Sequence, residues 1–219
     1  METTPYILND FKAFSLENTI AEVKLLFDET SFSHFPIVKN NKLIGVISEE
    51  NIQEIEDTDK EIGYFQYLFS LFHAENNSCL LDILGVFATN NSNLVPVLNE
   101  NNEYVGYFEI NDILKLYNDT PFLKSEGVVI LLEKEVRDYS FSEICQIVES
   151  NNGKIIGLFI SESNTLTVKI TVKINSQEIN EILQSFRRYD YKVISTHKED
   201  FYLKDQKERS EYLQKYLNI

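Results

Sequence analysis

The chain has 219 residues, 43% hydrophobic and 25% charged, with a formal net charge of −15, the make-up of an ordinary globular protein with room for one large domain or two of common size. Residues 1–125 hold 20 Asp/Glu against 7 Lys/Arg, a balance of −13, and no arginine precedes Arg137, which excludes nucleic acid and an anionic membrane surface as partners. No apolar run approaches the roughly 18 residues of a membrane helix, the start lacks a basic leader, and Cys79 and Cys145 lack metal-ligand or Cys-x-x-Cys spacing, so a cytoplasmic protein with reduced thiols is expected.

Residues 15–30 predict the first helix, with Asn18 or Thr19 as N-cap and Ile20, Val23, Leu26 and Phe27 at helical spacing. Residues 35–39 predict a short buried strand with Pro36 near its start, where a missing amide is tolerated. Asn40-Asn41-Lys42 makes a tight turn into a second strand, Leu43–Ile47, with Gly45 where side chains would crowd. Ser48 is the expected cap of a helix through Ile52 and Ile55. Seven carboxylates follow in residues 49–61; Asp57-x-Asp59-x-Glu61 lacks the glycine and the distant glutamate of a calcium loop and reads as a solvated helix face. The aromatic run Tyr64, Phe65, Tyr67, Phe69 and Phe72 reads as core or a subunit contact. The same order then returns: helix Leu80–Ala88, strands Leu94–Leu98 and Tyr104–Phe108, closing helix Asn111–Tyr117. Pro96 stands 60 residues after Pro36 and Gly106 61 after Gly45, so the second turn, Asn99 to Glu103, is one residue longer. The period is an internal repeat of helix–strand–strand–helix.

This repeat resembles the cystathionine-β-synthase (CBS) domain pair, through the strand prolines Pro36 and Pro96, the strand glycines Gly45 and Gly106, and the helix-opening quartets Ser48-x-x-Asn51 and Glu109-x-x-Asp112. The likeness covers residues 1–120, with the first repeat at about 10–56 and the second at about 76–120. In CBS pairs that bind adenine nucleotides, the resemblance implies a Ser/Thr and an Asp opening the final helix, holding phosphate and ribose. Here Ser48 keeps its place but Asn51 replaces the aspartate, whereas Asp112 keeps its place and Glu109 replaces the Ser/Thr. A carboxylate at a helix N-terminus occupies the position an anion would take. Two readings therefore stand together. In one, Pro36, Ser48, Asn51, Pro96, Glu109 and Asp112 line a cleft for an adenine nucleotide or an S-adenosyl compound. In the other, Ser48 and Glu109 cap their helices and Asp112 favours the first turn.

Asp119-Thr120-Pro121 reads as a linker. Beyond it Gly127–Glu133 predicts a strand, Ser140–Ser150 a helix with Ile144, Ile147 and Val148 on one face, and Asn151-Asn152-Gly153 its stop. Lys154–Ser161 and Leu166–Lys173 predict an antiparallel hairpin around Ser163-Asn164, the second strand alternating Thr and Lys with Leu, Val and Ile to give one wet and one buried face. Ser176 is the expected cap of a helix through Ile179, Ile182, Leu183 and Phe186, and Tyr191–Thr196 the last strand. That order, βαββαβ, is the split-βαβ ferredoxin-like arrangement. Following a CBS pair, residues 126–198 resemble an ACT domain, the small amino-acid-sensing module, and the whole chain is similar to bacterial CBS–ACT proteins of the acetoin-utilisation type. In amino-acid-binding ACT domains the loop from first strand to first helix carries an Asp-x-x-Gly-like turn. Asp138 matches its acidic position, while Tyr139 and Ser140 stand where the glycine is expected; these three are the candidate ligand loop, with Asp138 and Ser140 as N-caps the alternative. In the tail, residues 199–219, Asp205–Leu217 predicts a short helix with an apolar edge of Tyr212, Leu213, Tyr216 and Leu217 that docks on a subunit.

His34, His73 and His197 are scattered, without a cysteine or serine nearby in a recognised motif, and there is no phosphate loop or dinucleotide fingerprint. No catalytic or metal site is expected. The expected class is α+β: a tandem CBS repeat, a βαββαβ ferredoxin-like (ACT-like) domain and a C-terminal helix. The expected function is a regulatory small-molecule sensor that forms a homodimer and couples the two modules; the alternative is a ligand-free dimeric module docking on a protein partner.

Overall fold

The computed structural model describes residues 2–197 together with 200, 210 and 212; the expected C-terminal helix falls almost wholly outside them. The chain divides into two compact units, Met1–Asp119 and Thr120–Ile219.

In the first unit each repeat is built alike: α1 (Ile20–Glu29), β1 (His34–Lys39), β2 (Lys42–Ser48) and α2 (Glu49–Gln53), then a two-residue β3 (Ala74–Glu75), α3 (Leu80–Asn90), β4 (Leu94–Leu98), β5 (Tyr104–Glu109) and α4 (Ile110–Asn118). Thr19 opens α1 with a capping box: its hydroxyl accepts from the Glu22 amide at 3.3 Å and the Glu22 carboxylate accepts from the Thr19 amide at 3.0 Å. Asn40 and Asn41, with φ of 51° and 62°, turn β1 into β2. In the two hairpins Pro36 lies opposite Val46 and Ile37 opposite Gly45, as Pro96 lies opposite Tyr107 and Val97 opposite Gly106.

The equivalence extends to edges that carry no strand pattern in the sequence. Phe14 runs parallel beside Ile37 as Ala74 does beside Val97. On the other side, Ser70 pairs antiparallel with Val46, and Leu8 with Tyr107. The residue after each glycine thus meets another backbone, and the glycines make room for it. A Cβ on Gly45 would lie 2.7 Å from the Phe69 Cβ, and one on Gly106, at φ +148°, 2.2 Å from the Leu8 carbonyl oxygen. Leu8, ahead of the first repeat, thus edges the second repeat's hairpin, and Ser70, between the repeats, edges the first's, while Phe14 and Ala74 edge the hairpins that follow them.

Ile20, Val23, Phe27, Phe35, Ile37, Ile47 and Ile52 form one core and Ile83, Phe87, Val95, Val97, Phe108 and Ile113 the other; Leu94 of the second repeat joins the first core and Val46 of the first joins the second. The aromatic run divides: Phe72 is buried and Phe69 packs on Gly45, whereas Tyr64 and Tyr67 are 72% and 78% exposed and are not core. Helix α2 stops at Gln53, leaving Ile55 beyond its end though buried.

The second unit runs α5 (Pro121–Lys124), β6 (Val128–Glu135), α6 (Phe141–Ser150), β7 (Lys154–Ser163), β8 (Thr167–Asn175), α7 (Ile179–Arg188) and β9 (Lys192–Val193). Its antiparallel sheet has the order β7-β8-β6-β9. Ile130, Leu132, Ile170, Val172 and Ile174 of the sheet pack with Ile144, Val148, Ile182, Leu183 and Phe186 of α6 and α7. Across the strands Glu162, Lys169, Glu133 and Lys192 lie in register as a row of alternating charge. Lys173, 8% exposed, donates from Nζ to the carbonyls of Phe122 and Leu123 at 2.6 and 3.1 Å, fixing α5 to the sheet. The Phe122 ring covers Gly157, where a Cβ would meet it at 2.1 Å.

Two expectations are corrected. Glu178, not Ser176, holds the N-cap position of α7; the Ser176 hydroxyl instead accepts from the Glu178 amide at 3.0 Å in the turn before it. The last strand is Lys192–Val193 rather than Tyr191–Thr196, because Tyr191 is buried against Phe186 at the end of α7 and beyond Ile194 the Ser195 hydroxyl accepts from the Leu131 amide at 2.9 Å.

Candidate functional site

The predicted quartets sit where β2 and β5 run into their closing helices. Ser48 caps α2, its hydroxyl accepting from the Asn51 amide at 3.2 Å. The Asn51 side chain donates to the Leu68 carbonyl at 3.2 Å, tying this opening to the inter-repeat segment. Both residues are thus engaged in holding the helix. Glu109 stands at the N-cap of α4 but makes no side-chain capping bond; its carboxylate accepts from the Asn111 side chain at 3.1 Å. The expectation that Glu109 caps through its side chain is therefore corrected. Asp112, in the first turn, pairs with Lys115 at 2.9 Å and holds the ammonium pKa above its ordinary value. Glu109, Asp112, Lys115 and Asp119 line an open hollow of about 690 Å³ along the outer side of α4.

Pro36 and Pro96 are buried in mid-strand, and the register brings other residues to the openings: His34 lies across from Ser48, and Leu94 across from Glu109. The prolines themselves lie opposite Val46 and Tyr107, two residues along their strands from those openings. An open hollow of about 520 Å³ lies between α3 and the start of α4, lined by Leu84, Phe87, Ala88 and Ile110 with Ser33, Asn91 and Asn93 at its polar side, and its lining residues carry no charge.

Ser33 and Asn93 are joined across the repeats. The Ser33 amide and hydroxyl donate to Asn93 Oδ1 at 2.8 and 3.0 Å, the Asn93 amide donates to the Ser33 hydroxyl at 3.1 Å, and Asn93 Nδ2 donates to the Ser31 carbonyl at 2.7 Å. An amide donor on one side and a carbonyl acceptor on the other fix the Asn93 side-chain orientation. The same Ser33 hydroxyl lies 2.9 Å from His34 Nδ1, in hydrogen-bond contact whose donor is set by the imidazole tautomer. The His34 ring is partly buried and meets Phe72 edge-on at 5.7 Å; burial holds its pKa below the ordinary value. The sequence reading names His34 only as a scattered histidine and does not single out Ser33 or Asn93. The available signal was their place in the repeat, since Ser33 and Asn93 each stand three residues before a strand proline.

Residues 6–56 and 75–119 match the family model of the CBS domain. The first unit is a CBS-domain pair. Among curated proteins the chain is similar to the uncharacterized protein MJ0188 of Methanocaldococcus jannaschii, 26% identical over 148 residues that cover 63% of this chain and 56% of that one. It is also similar to the uncharacterized protein MJ1232 of the same organism, 32% identical over 99 residues, 45% of this chain and 33% of that one. The chain thus matches little more than half the length of the first and a third of the second. Among solved structures it is similar to a CBS domain pair/ACT domain protein from Thermotoga maritima, with a TM-score of 0.48 at 18% identity over 53% of this chain and 96% of that one.

Within the CBS pair, then, one helix opening is closed by its own side chains and the other presents carboxylates, while the hollow beside Asn93 is uncharged. Outside the CBS pair, the loop of Asp138, Tyr139 and Ser140 is tied down at several points. The Asp138 and Tyr139 amides donate to the Glu135 carbonyl at 3.0 and 3.2 Å, and the Ser140 amide donates to the Tyr191 hydroxyl at 3.2 Å. Of the two cap candidates Ser140 is the N-cap of α6, accepting from the Glu143 amide at 3.4 Å. Asp138 is exposed, and the Tyr139 ring packs against the sheet core. Cys79 and Cys145 are both free thiols. Among the described residues there is no helix long and apolar enough to cross a membrane and no group of three or more His, Cys, Asp and Glu placed to hold a metal.

Proposed function

We propose that the protein is a regulatory small-molecule sensor whose CBS pair takes an adenosine-type ligand and whose second unit is an ACT-like domain coupled to it, the whole working as a cytoplasmic homodimer without catalysis. The observation that carries this reading is the uncharged open hollow beside Ser33 and Asn93. Leu84, Phe87, Ala88 and Ile110 offer apolar sides to a flat heterocycle, with the uncharged polar residues Ser33, Asn91 and Asn93 at the rim. Charge then selects among adenosine compounds. Glu109 and Asp112 lie at the neighbouring helix opening, and residues 1–125 carry a balance of −13 with no arginine. A triphosphate is repelled there, and a neutral nucleoside or a cationic S-adenosyl compound is favoured. The ACT-like, ferredoxin-like reading of the second unit draws support from its βαββαβ order and its strand order β7-β8-β6-β9.

A ligand-free dimeric module that docks on a protein partner is the second reading. It is favoured by Ser48 and Asn51, whose side chains are taken up inside the fold, and by the exposed Tyr64, Tyr67 and Leu71. Thermal unfolding of the full chain with S-adenosylmethionine, adenosine, AMP and ATP separates the two. A ligand at a hundredfold excess over its dissociation constant stabilises by about 2.7 kcal/mol, so the sensor reading expects a clear upward shift with S-adenosylmethionine or adenosine and the smallest with ATP. Flat midpoints with all four at millimolar concentration would leave the docking module.

A further inference from the structure

We propose that Ser33 and Asn93 form a clasp through which the openings of α2 and α4 move as one, so that an event at either repeat is felt by the other. The two residues are equivalent in the repeat, 60 positions apart like the prolines. Each also does a second job with its main chain. The Ser33 carbonyl accepts from the Glu49 amide at 2.9 Å, and the Asn93 carbonyl accepts from the Ile110 amide at 3.1 Å. Glu49 and Ile110 are the first residues of α2 and α4, whose leading amides have no partner inside their own helices. Residues 33 and 93 therefore hold the two helix starts with their carbonyls and each other with three hydrogen bonds, while Asn93 Nδ2 adds a fourth to the Ser31 carbonyl. A shift of either helix start pulls on its carbonyl, and the clasp passes that displacement to the opposite loop. Neither residue is a spare polar group: hydroxyl, side-chain amide and both backbone amides are all used within the clasp.

The clasp is a property of the protein alone, whatever the hollow binds, and its test uses no ligand. Site-resolved amide hydrogen exchange of the full chain reads opening at each helix start. In Asn93→Ala the side-chain links are lost from the second repeat, yet the Glu49 amide of the first repeat should exchange about tenfold faster. Ser33→Ala should accelerate Ile110 in return, because energetic coupling is reciprocal. The strand amides of Ile37 and Val97 should keep wild-type rates, showing that the effect is confined to the openings. The proposal is overturned if each variant accelerates only the helix start of its own repeat, if neither start responds, or if Ile37 and Val97 accelerate equally with them.

Discussion

Gly106→Ala tests the physical account of the repeat most sharply, because two separate costs meet at one atom. The backbone there has φ +148°, a region that L side chains rarely adopt, and holding alanine in it costs about 1–3 kcal/mol. The added Cβ would also lie 2.2 Å from the Leu8 oxygen and 2.8 Å from the Ile7 Cγ2. Relief of the first contact requires the Leu8 backbone to retreat, which breaks the paired bonds between Leu8 and Tyr107 at 2.8 and 2.9 Å. At about 1 kcal/mol each, their loss brings the sum to about 3–5 kcal/mol, a large share of the 5–15 kcal/mol typical of a folded domain. Urea unfolding followed by circular dichroism measures it, with the slope unchanged if only stability is altered. Deleting residues 2–8 provides the second corner of a thermodynamic cycle. With the Leu8 oxygen gone, only the strain of about 1–3 kcal/mol remains. A full-length cost below about 1 kcal/mol, or an equal cost with and without the N-terminal segment, would refute the reasoning.

Three further outcomes follow from single contacts. Thr19→Ala removes the hydroxyl half of the α1 capping box and should lower stability by about 1 kcal/mol in urea unfolding; an unchanged midpoint would contradict the assignment. The folded protein holds the His34 pKa below the ordinary value of 6.5 by burial. The unfolded chain therefore takes up this proton first as pH falls, so the stability tied to neutral His34 is present above 6.5 and lost as pH drops through the folded value. His34→Gln should flatten that decline in a pH series of unfolding free energies, and an unaltered slope would count against it. Lys173→Met leaves the Phe122 and Leu123 carbonyls without their donor, a cost of about 1–3 kcal/mol, and should speed amide exchange across Thr120–Lys124; unchanged exchange there would show that the lysine does not hold α5.

Much of this architecture is legible in the sequence because its signals are local. Proline and glycine at a fixed period mark the two hairpins, and Thr19 with Glu22 marks a helix start. The edges at Leu8, Phe14 and Ser70 are not legible: each is a single bridge made by a segment without alternating apolar residues, and only the tertiary fold brings it beside its strand. The exchange of Leu94 and Val46 between the two cores has the same origin. At the site, Ser48 reads correctly as a cap because capping needs only the next three residues. Glu109 does not cap through its side chain, and the local pattern gives no sign of its contact with Asn111. Ser33 and Asn93 are the harder case. Serine and asparagine before a strand are ordinary loop residues, and their mutual bonds span 60 residues. The period alone ties them together, since the repeat sets both at the same step before a proline.

In the proposed function the CBS pair takes an adenosine-type ligand in the uncharged hollow beside Asn93. Isothermal titration of the full chain with S-adenosylmethionine and with ATP tests it directly, run in parallel on Ala88→Trp, which places an indole in the hollow from an exposed position on α3. S-adenosylmethionine should bind saturably, ATP more weakly or not at all, and the heat should be lost in the variant. Binding that survives Ala88→Trp, ATP as the tighter ligand, or no heat with either would contradict it.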